Sequence, residues 1–144
     1  MTVDVHDTIA VRLREVGQRY TDGRRDLVDR LVAAGQPLTI PELLEVPPRL
    51  PQSSAYRNLS VLEQAGVVHR ITAGGDFARF ELAEDLTEHH HHLICSECGA
   101  VEDFTAPAGL ERTLTRAVDE IAAARGFTAD QHRLDLIGTC ADCS

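Results

Sequence analysis

The chain contains no lysine, no tryptophan and a single methionine, with four phenylalanines and two tyrosines as its aromatic side chains. All 14 basic residues are therefore arginines, and any basic surface must be built from them alone. No apolar run approaches the roughly 18 residues that a membrane span requires, and no cationic, apolar leader opens the chain, so neither a membrane-embedded nor a secreted protein is expected. Without a secretory context, the four cysteines point to metal or redox chemistry rather than a disulfide framework. There is no internal repeat, no low-complexity tract, and no HExxH or similar catalytic zinc spacing. Positive charge is also scarce: the formal net charge is −9, which taken alone argues against a nucleic-acid partner.

What is present is a globular composition: 144 residues, 43% hydrophobic and 26% charged, enough for one or two small domains with a core. The charge is unevenly spread. Residues 1–80 carry ten Arg against ten Asp or Glu, whereas residues 81–144 carry four Arg against thirteen acids, so the whole excess lies in the second half. Nine of the eleven His and Cys lie at or after position 89. Two modules are expected: residues 1–82, a polar hinge over 83–88 within LAEDLTE, and residues 89–144.

The first module reads as helices followed by a hairpin. Ile9, Leu13 and Val16 recur at helical spacing up to Gly17, and Leu27, Val28, Leu31 and Val32 form a second stripe ending at Gly35 and Pro37. Thr39 is placed to N-cap a short third helix with Pro41 in its first turn. The prolines of VPPRLPQ exclude helix there. Ser53 or Ser54 then caps a fourth helix with Ala55, Leu59 and Leu62 inward and Gly66 at its end. Its other face shows Ser54, Arg57, Asn58 and Val61, flanked by Tyr56 and Ser60. Short polar donors, a tyrosine and an arginine near a helix N-terminus suit phosphate contact and entry into a major groove. VVHRI, a Gly74-Gly75 turn and FARFEL read as a two-stranded wing, making a winged helix-turn-helix. An ordinary amphipathic helix with a solvated face explains the fourth segment equally well on its own.

The second module carries the stronger signal. Cys95-Ser-Glu-Cys98 and Cys140-Ala-Asp-Cys143 are two CxxC pairs 41 residues apart. Each turn delivers two thiolates from one side, and four soft ligands complete a tetrahedral zinc with no open position, so a structural Zn2+ is expected. Gly99 suits the positive-φ geometry of such a knuckle. His89-His90-His91-His92 precede Leu93-Ile94-Cys95; in a strand, His89 and His91 face one side and His90 and His92 the other, so two further sites are expected. Val101–Phe104 reads as a strand, Pro107 starts a helix with Leu110, Leu114, Ala117, Val118 and Ile121 on one stripe, and 127–137 returns as a strand. One helix over a short sheet leaves apolar surface that a second copy would cover.

These segments in order, GQRYTDGRRDLVDRL, SSAYRNLSVLEQAGVV, FEL, HHHHLICSECG and HRLDLIGTCADC, resemble the ferric uptake regulator superfamily of metal-dependent transcriptional repressors over nearly the whole chain. The resemblance implies an α+β protein: an N-terminal winged helix-turn-helix followed by a small α/β dimerisation domain. It implies a structural zinc on Cys95, Cys98, Cys140 and Cys143, and a regulatory hinge site of His69, Glu81, His90 and His92. A second site would hold His89, His91, His132 and an acid, taken as Glu111, with Glu102 and Asp103 as acidic alternatives. Tyr56 and Arg57 match its DNA-contacting pair, so Ser54, Tyr56, Arg57 and Asn58 are the expected DNA residues. The implied partners are a second copy and a palindromic double-stranded operator, in the cytoplasm, and the implied function is repression of metal-uptake genes rather than enzymatic activity.

The chain also departs from the pattern. Ser54-Ala55 replaces the usual Thr-Val. A hinge cysteine of many zinc sensors is absent, with Ala83 nearest its position, and a histidine of iron sensors is missing near Pro37. The hinge set is nitrogen and oxygen only. Three imidazoles and a carboxylate suit zinc, and the HHHH string favours a zinc uptake regulator, with iron(II), manganese or nickel as alternatives. Each ligand has a plainer explanation: His69 as a solvent-facing wing residue, Glu81 as a surface strand residue, His132 as a satisfied core histidine, and Tyr20 as core rather than DNA contact. A zinc enzyme and a zinc-binding interaction module without DNA binding are the other classes to weigh.

Overall fold

The computed structural model describes residues 4–72 and 78–144; the anticipated Gly74-Gly75 turn lies outside them. Four helices open the chain. α1 (Val5–Glu15) is N-capped by Asp4 and buries Ile9 and Leu13, while Val16 falls at the C-cap and is largely exposed. α2 (Asp22–Ala34) starts at Thr21, whose hydroxyl accepts from Arg24 N–H, and ends at Gly35, whose φ of 63° an L-residue would adopt only with strain. On α2 the structure departs from the sequence reading: Val32 points to solvent and Arg30, 5% exposed, lies inside. Arg30 is tolerated there because its guanidinium donates to the carbonyls of Leu43 (2.9 Å), Val46 (2.5 Å) and Pro48 (2.6 Å). It thereby staples the proline-rich loop that leads into the fourth helix.

β1 (Leu38–Thr39) runs directly into α3 (Ile40–Glu45), where Thr39 and Glu42 form a reciprocal capping box with Pro41 in the first turn. α4 (Gln52–Gln64) begins earlier than anticipated: Pro51, not Ser53 or Ser54, occupies the N-cap, and no side chain caps the helix. Proline needs no N–H partner there, so helix can start at Gln52 and both serines fall in its first turn. β2 (Val68–Ile71) and β3 (Arg79–Leu82) pair antiparallel, and β1 adds to the far edge of β3. The helices and this sheet enclose one apolar core, including Ile9, Leu13, Leu27, Val28, Leu43, Leu59, Leu62 and Phe80. Tyr20 packs against it.

A single 3-10 turn, Glu84–Leu86, leads to the second sheet. β4 (His91–Cys95) is its centre, flanked by antiparallel β5 (Val101–Phe104) and parallel β6 (Asp135–Gly138). The parallel partner requires a crossover, supplied by α5 (Ala108–Ala124). The returning strand is shorter than the anticipated 127–137, with only 135–138 paired. Its preceding residues instead carry His132 to the site described below. Little apolar area is enclosed here. Ile94 and Val101 bury together with Ile71 of β2, and Ala122 is the buried residue of α5. Ile121, Phe127, Leu136 and Ile137 are all at least half exposed.

Candidate metal centres and nucleic-acid interface

The alternation of β4 divides the histidines. His91 and His92 are successive strand residues and point to opposite sheet faces; His89 and His90, just ahead of the strand, keep the same parity. Among the described residues, three groups of four side chains each bring their donor atoms within 4.8 Å of one another: Cys95, Cys98, Cys140 and Cys143; Glu81, His90, His92 and Asp103; and His89, His91, Glu111 and His132.

The cysteine group closes the end of the second sheet. Gly99, at φ 75°, turns the chain after Cys98 so that its N–H reaches Cys95 O at 2.9 Å. The Cys98 and Cys140 sulfurs are 3.8 Å apart, and all four thiols are free. A disulfide needs about 2.05 Å. Four sulfurs around a zinc at about 2.3 Å lie about 3.8 Å apart along each tetrahedral edge, so the spacing fits that ion. N–H groups of Cys98 and Cys140 aim at Cys95 Sγ and draw its pKa down to about 6, favouring the ligating thiolate, while neighbouring thiols push Cys143 up to about 12.

The second group straddles the two sheets. Glu81 lies on β3, opposite His69 on β2, and is 5% exposed. It meets His69 Nε2 at 2.7 Å, His92 Nε2 at 2.9 Å and His90 Nε2 at 3.1 Å. Asp103, the β5 partner of His92, closes the far side at 3.4 Å from His92 and 3.7 Å from His90. Burial pushes Glu81 up, but the hydrogen bonds of His69 and His92 and the charges of His92 and His90 outweigh it and hold the carboxyl at about 2. Asp103 is raised, first by burial and then by the charge of Glu81. His90 and His92 are raised despite burial by the acids around them. Asp103 Oδ1 and His92 Nδ1 are buried with no hydrogen-bond partner among the described residues, as is Asp135 Oδ1, 3.6 Å from His92 Nδ1. A buried carboxylate and a half-buried one facing two imidazoles, with polar atoms left over, form a donor set for a divalent cation. Clefts of about 430 Å3, beside Leu31, Val32 and Phe104, and about 470 Å3, beside His69 and Arg133, reach it from two sides.

Asp103 was considered from sequence only for the other histidine site. Strand pairing decides otherwise: a residue opposite His92 shares its face, so Asp103 meets His90 and His92 rather than His89 and His91. Glu102, opposite Leu93, is exposed and joins neither group. His69 touches Glu81 but stays outside the tight group of four.

The third group centres on Glu111 in the first turn of α5. Its carboxylate takes His89 Nε2 at 2.7 Å, His132 Nε2 at 2.5 Å and His91 Nε2 at 2.9 Å, and the hydrogen bond from His91, with those of His132 and His89, draws it down to about 2. His91 is fully buried, and its Nδ1 accepts from Leu134 N–H at 3.1 Å. A cation taken on Nε2 would need a proton on Nδ1, the nitrogen at which the Leu134 N–H points.

On α4, the expected recognition helix, Tyr56 and Arg57 are exposed and Ser54 is half-buried in the first turn. Asn58 does not stand free on the outer face: its Oδ1 accepts from Arg24 Nε at 3.1 Å, and Arg24 also donates to Arg19 O at 2.7 Å. Asn58 thus fixes α2 against α4 and brings Arg24 beside the helix. The first-turn N–H groups of α4 have no side-chain cap, and Arg24 and the exposed Arg57 add positive charge nearby, groups that suit a phosphate although the module has no net positive charge.

Compared with known proteins, residues 15–137 match the model of the ferric uptake regulator family. The chain belongs to this family. It is 32% identical over 137 residues to the peroxide operon regulator of Bacillus subtilis, covering 92% of this chain and 88% of that protein. Among solved structures, the Vibrio cholerae ferric uptake regulator is similar at 28% identity and TM-score 0.69, covering 89% of this chain and 96% of that one. A zinc-bound manganese uptake regulator is similar at 28% identity and TM-score 0.64, covering 95% and 99%. As a ferric uptake regulator family member the chain is a metal-responsive transcriptional regulator with an N-terminal DNA-binding domain and a C-terminal dimerisation domain. Its relatives are regulators rather than enzymes, and none of its described helices is long and apolar enough to cross a membrane.

Proposed function

We propose that this regulator is a cytoplasmic repressor of metal-uptake genes in which a divalent cation at the hinge selects the dimer geometry that fits a palindromic operator. Residues 1–82 act as the reading head, 83–88 as the hinge and 89–144 as the metal-binding dimerisation unit. The observation that carries this reading is the shared cluster: Glu81, with His69 beside it, belongs to the winged-helix sheet, and His90, His92 and Asp103 belong to the other. A bound cation would supply the positive charge that lets both carboxylates, Glu81 and Asp103, stay ionised together. Glu81 and Asp103 then hold β3 against β4 and β5, which fixes the angle of the reading head. When the two acids repel instead, the heads sample many angles and few match successive major grooves. In the competent arrangement Tyr56 and Arg57 of each copy face the groove, and Ser54 and the N-terminus of α4 face phosphate. Cys95, Cys98, Cys140 and Cys143 hold a structural zinc, and His89, His91, Glu111 and His132 hold a further cation.

Asp103 bears on the choice of regulatory metal. With His69, the hinge offers five nitrogen and oxygen donors and no thiolate. Four of them satisfy zinc, as the sequence suggested. A second carboxylate favours iron(II) or manganese, which accept five or six hard or borderline donors, and this is the second reading. An anaerobic titration of operator binding with zinc, iron(II), manganese and nickel ranks them. Replacing His90 and His92 together by alanine is expected to abolish the metal-dependent part of DNA binding, about 5- to 150-fold, while leaving a folded dimer. Metal-dependent operator binding by that variant would overturn the hinge assignment. Absence of any gel shift by the metal-loaded native chain would favour an interaction module without DNA binding.

A further inference from the structure

Next to the third donor group lies a carboxylate that belongs to none of the three. Glu84 sits in the 3-10 turn between the sheets; its Oε1 is buried, makes no hydrogen bond of regular geometry among the described residues, and abuts His89 Nδ1 as an ion pair. The other nitrogen of that ring, Nε2, faces Glu111 at 2.7 Å and His132 at 3.2 Å. A histidine that ligates through one nitrogen carries its proton on the other. A carboxylate at that second nitrogen fixes the tautomer, aims the ring and raises its basicity. The residue after Glu84 continues the connection. Asp85 pairs with Arg12 of α1, and Arg12 also donates to Gly66 O at 2.8 Å, in the turn that ends the recognition helix.

We propose that Glu84 is the outer carboxylate of the His89, His91, Glu111 and His132 site, and that through Asp85 and Arg12 the loading of that site stiffens the hinge turn and the base of α4. The site is then a second input to DNA binding rather than a staple confined to the C-terminal module. This rests on the reading of the protein as a metal-responsive DNA-binding regulator. Glu84 is a positioning residue: its carboxylate holds the Nδ1 proton of His89, while the ligating nitrogen stays free for the cation. Within the turn, the N–H groups of Leu86 and Thr87 reach Ala83 O (2.9 Å) and Glu84 O (3.0 Å) and the Thr87 hydroxyl donates to Glu84 O (3.3 Å), so an added anchor at Glu84 tightens a short segment that also carries the Asp85–Arg12 pair.

Cobalt(II) tests the local half. In the zinc-loaded His90→Ala, His92→Ala protein, the remaining donor group outside the cysteines is titrated through its ligand-field absorption. Glu84→Ala is expected to weaken that site about 10- to 100-fold and to shift its band, with the cysteine-bound zinc unchanged, while Glu84→Gln, which keeps an acceptor for Nδ1–H, recovers part of the loss. Affinity within twofold of the parent for Glu84→Ala would overturn the role of Glu84. Amide hydrogen exchange tests the coupling without DNA: cobalt loading is expected to slow exchange at Leu86 and Thr87, and Arg12→Ala to leave cobalt affinity intact but reduce that slowing. Unchanged exchange on loading would overturn the coupling. With operator DNA, His132→Ala and Arg12→Ala are expected each to weaken metal-dependent binding, and the double variant to be no weaker than the worse single one. Additive losses would overturn the shared path. If the native chain shows no metal-dependent DNA binding, the proposed function falls, and the cobalt and exchange readouts still decide what Glu84 and Arg12 do.

Discussion

The two halves of this chain are held together by different means. The winged-helix half encloses a continuous apolar core in which Ile9, Leu13, Leu27, Val28, Leu43 and Leu62 are wholly shielded from solvent. The C-terminal half encloses little: Ile94 and Val101 bury with Ile71 of the other half, and Ile121 of α5 and Leu136 and Ile137 of β6 are at least half exposed. Prominent among its buried side chains are imidazoles and a thiol, His91, His92 and Cys95. Hydrophobic burial supports the first half by itself. On the function proposed above, the second would depend on ions that bind its donors and on a second copy that covers α5 and β6, and a module of that kind can report on metal because its order depends on metal.

The comparison breaks most visibly at the cysteines. Cys140→Ser is expected to remove the structural zinc, which contributes on the order of 10 kcal/mol in small zinc modules, and with it the order of the C-terminal sheet and the dimer. The winged helix is expected to survive. Both tyrosines, Tyr20 and Tyr56, lie in that half and there is no tryptophan, so tyrosine emission reports on it alone. Sedimentation should show monomer while the tyrosine-detected unfolding transition persists. Loss of both together would mean that the first half does not stand on its own core.

A matched pair of truncations sharpens the same contrast. Leu59→Ala removes a side chain 2% exposed from the winged-helix core and is expected to cost about 2–5 kcal/mol of that half's stability. Ile121→Ala removes one that is 64% exposed in the single chain and is expected to leave the winged-helix transition within about 0.5 kcal/mol. Its effect should surface as a weaker dimer, read as a concentration-dependent sedimentation shift. An unchanged dimer would mean that α5 turns Ile121 away from the partner.

Much of this was legible because local rules fixed it. Thr39 and Glu42 are spaced for a capping box, Gly35 ends α2, and the CxxC pairs and the parity of four consecutive histidines define their groups without knowledge of the fold. What was not legible depended on long-range pairing. Asp103 joins His92 because β5 pairs with β4 in one register, which nothing within either segment states. Arg30 lies outside the stripe that periodicity marks on α2, and the carbonyls of Leu43, Val46 and Pro48, which lie far along the chain, explain why it is buried there. Asn58 looks like a free recognition residue until Arg24 comes to it from 34 positions away. The start of α4 was misjudged for a local reason: proline at the N-cap competes with a serine cap two residues later, and preference alone does not rank them.

The smallest expected effect lies where the halves touch. Arg79 of β3 donates to Gly99 O at 2.9 Å, on the cysteine knuckle, and to Glu42 Oε1 at 2.8 Å, the same oxygen that accepts from Thr39 N–H at 3.0 Å. Burial pushes the Glu42 carboxyl up, but the Thr39 hydrogen bonds and the Arg79 guanidinium outweigh it, so its folded pKa lies below the ordinary 4.5. A depressed acid stabilises the fold above its unfolded pKa, and that contribution disappears as the pH falls through the lower folded value. Glu42 is 45% exposed, so solvent screening keeps the contribution below about 1 kcal/mol. Glu42→Gln should therefore lower the tyrosine-detected urea midpoint slightly at neutral pH, and the gap between variant and parent should close once the pH drops well below 4.5. A gap that is the same at both pH values would show that the charge of Glu42 contributes nothing and that the capping geometry alone holds α3 beside the knuckle.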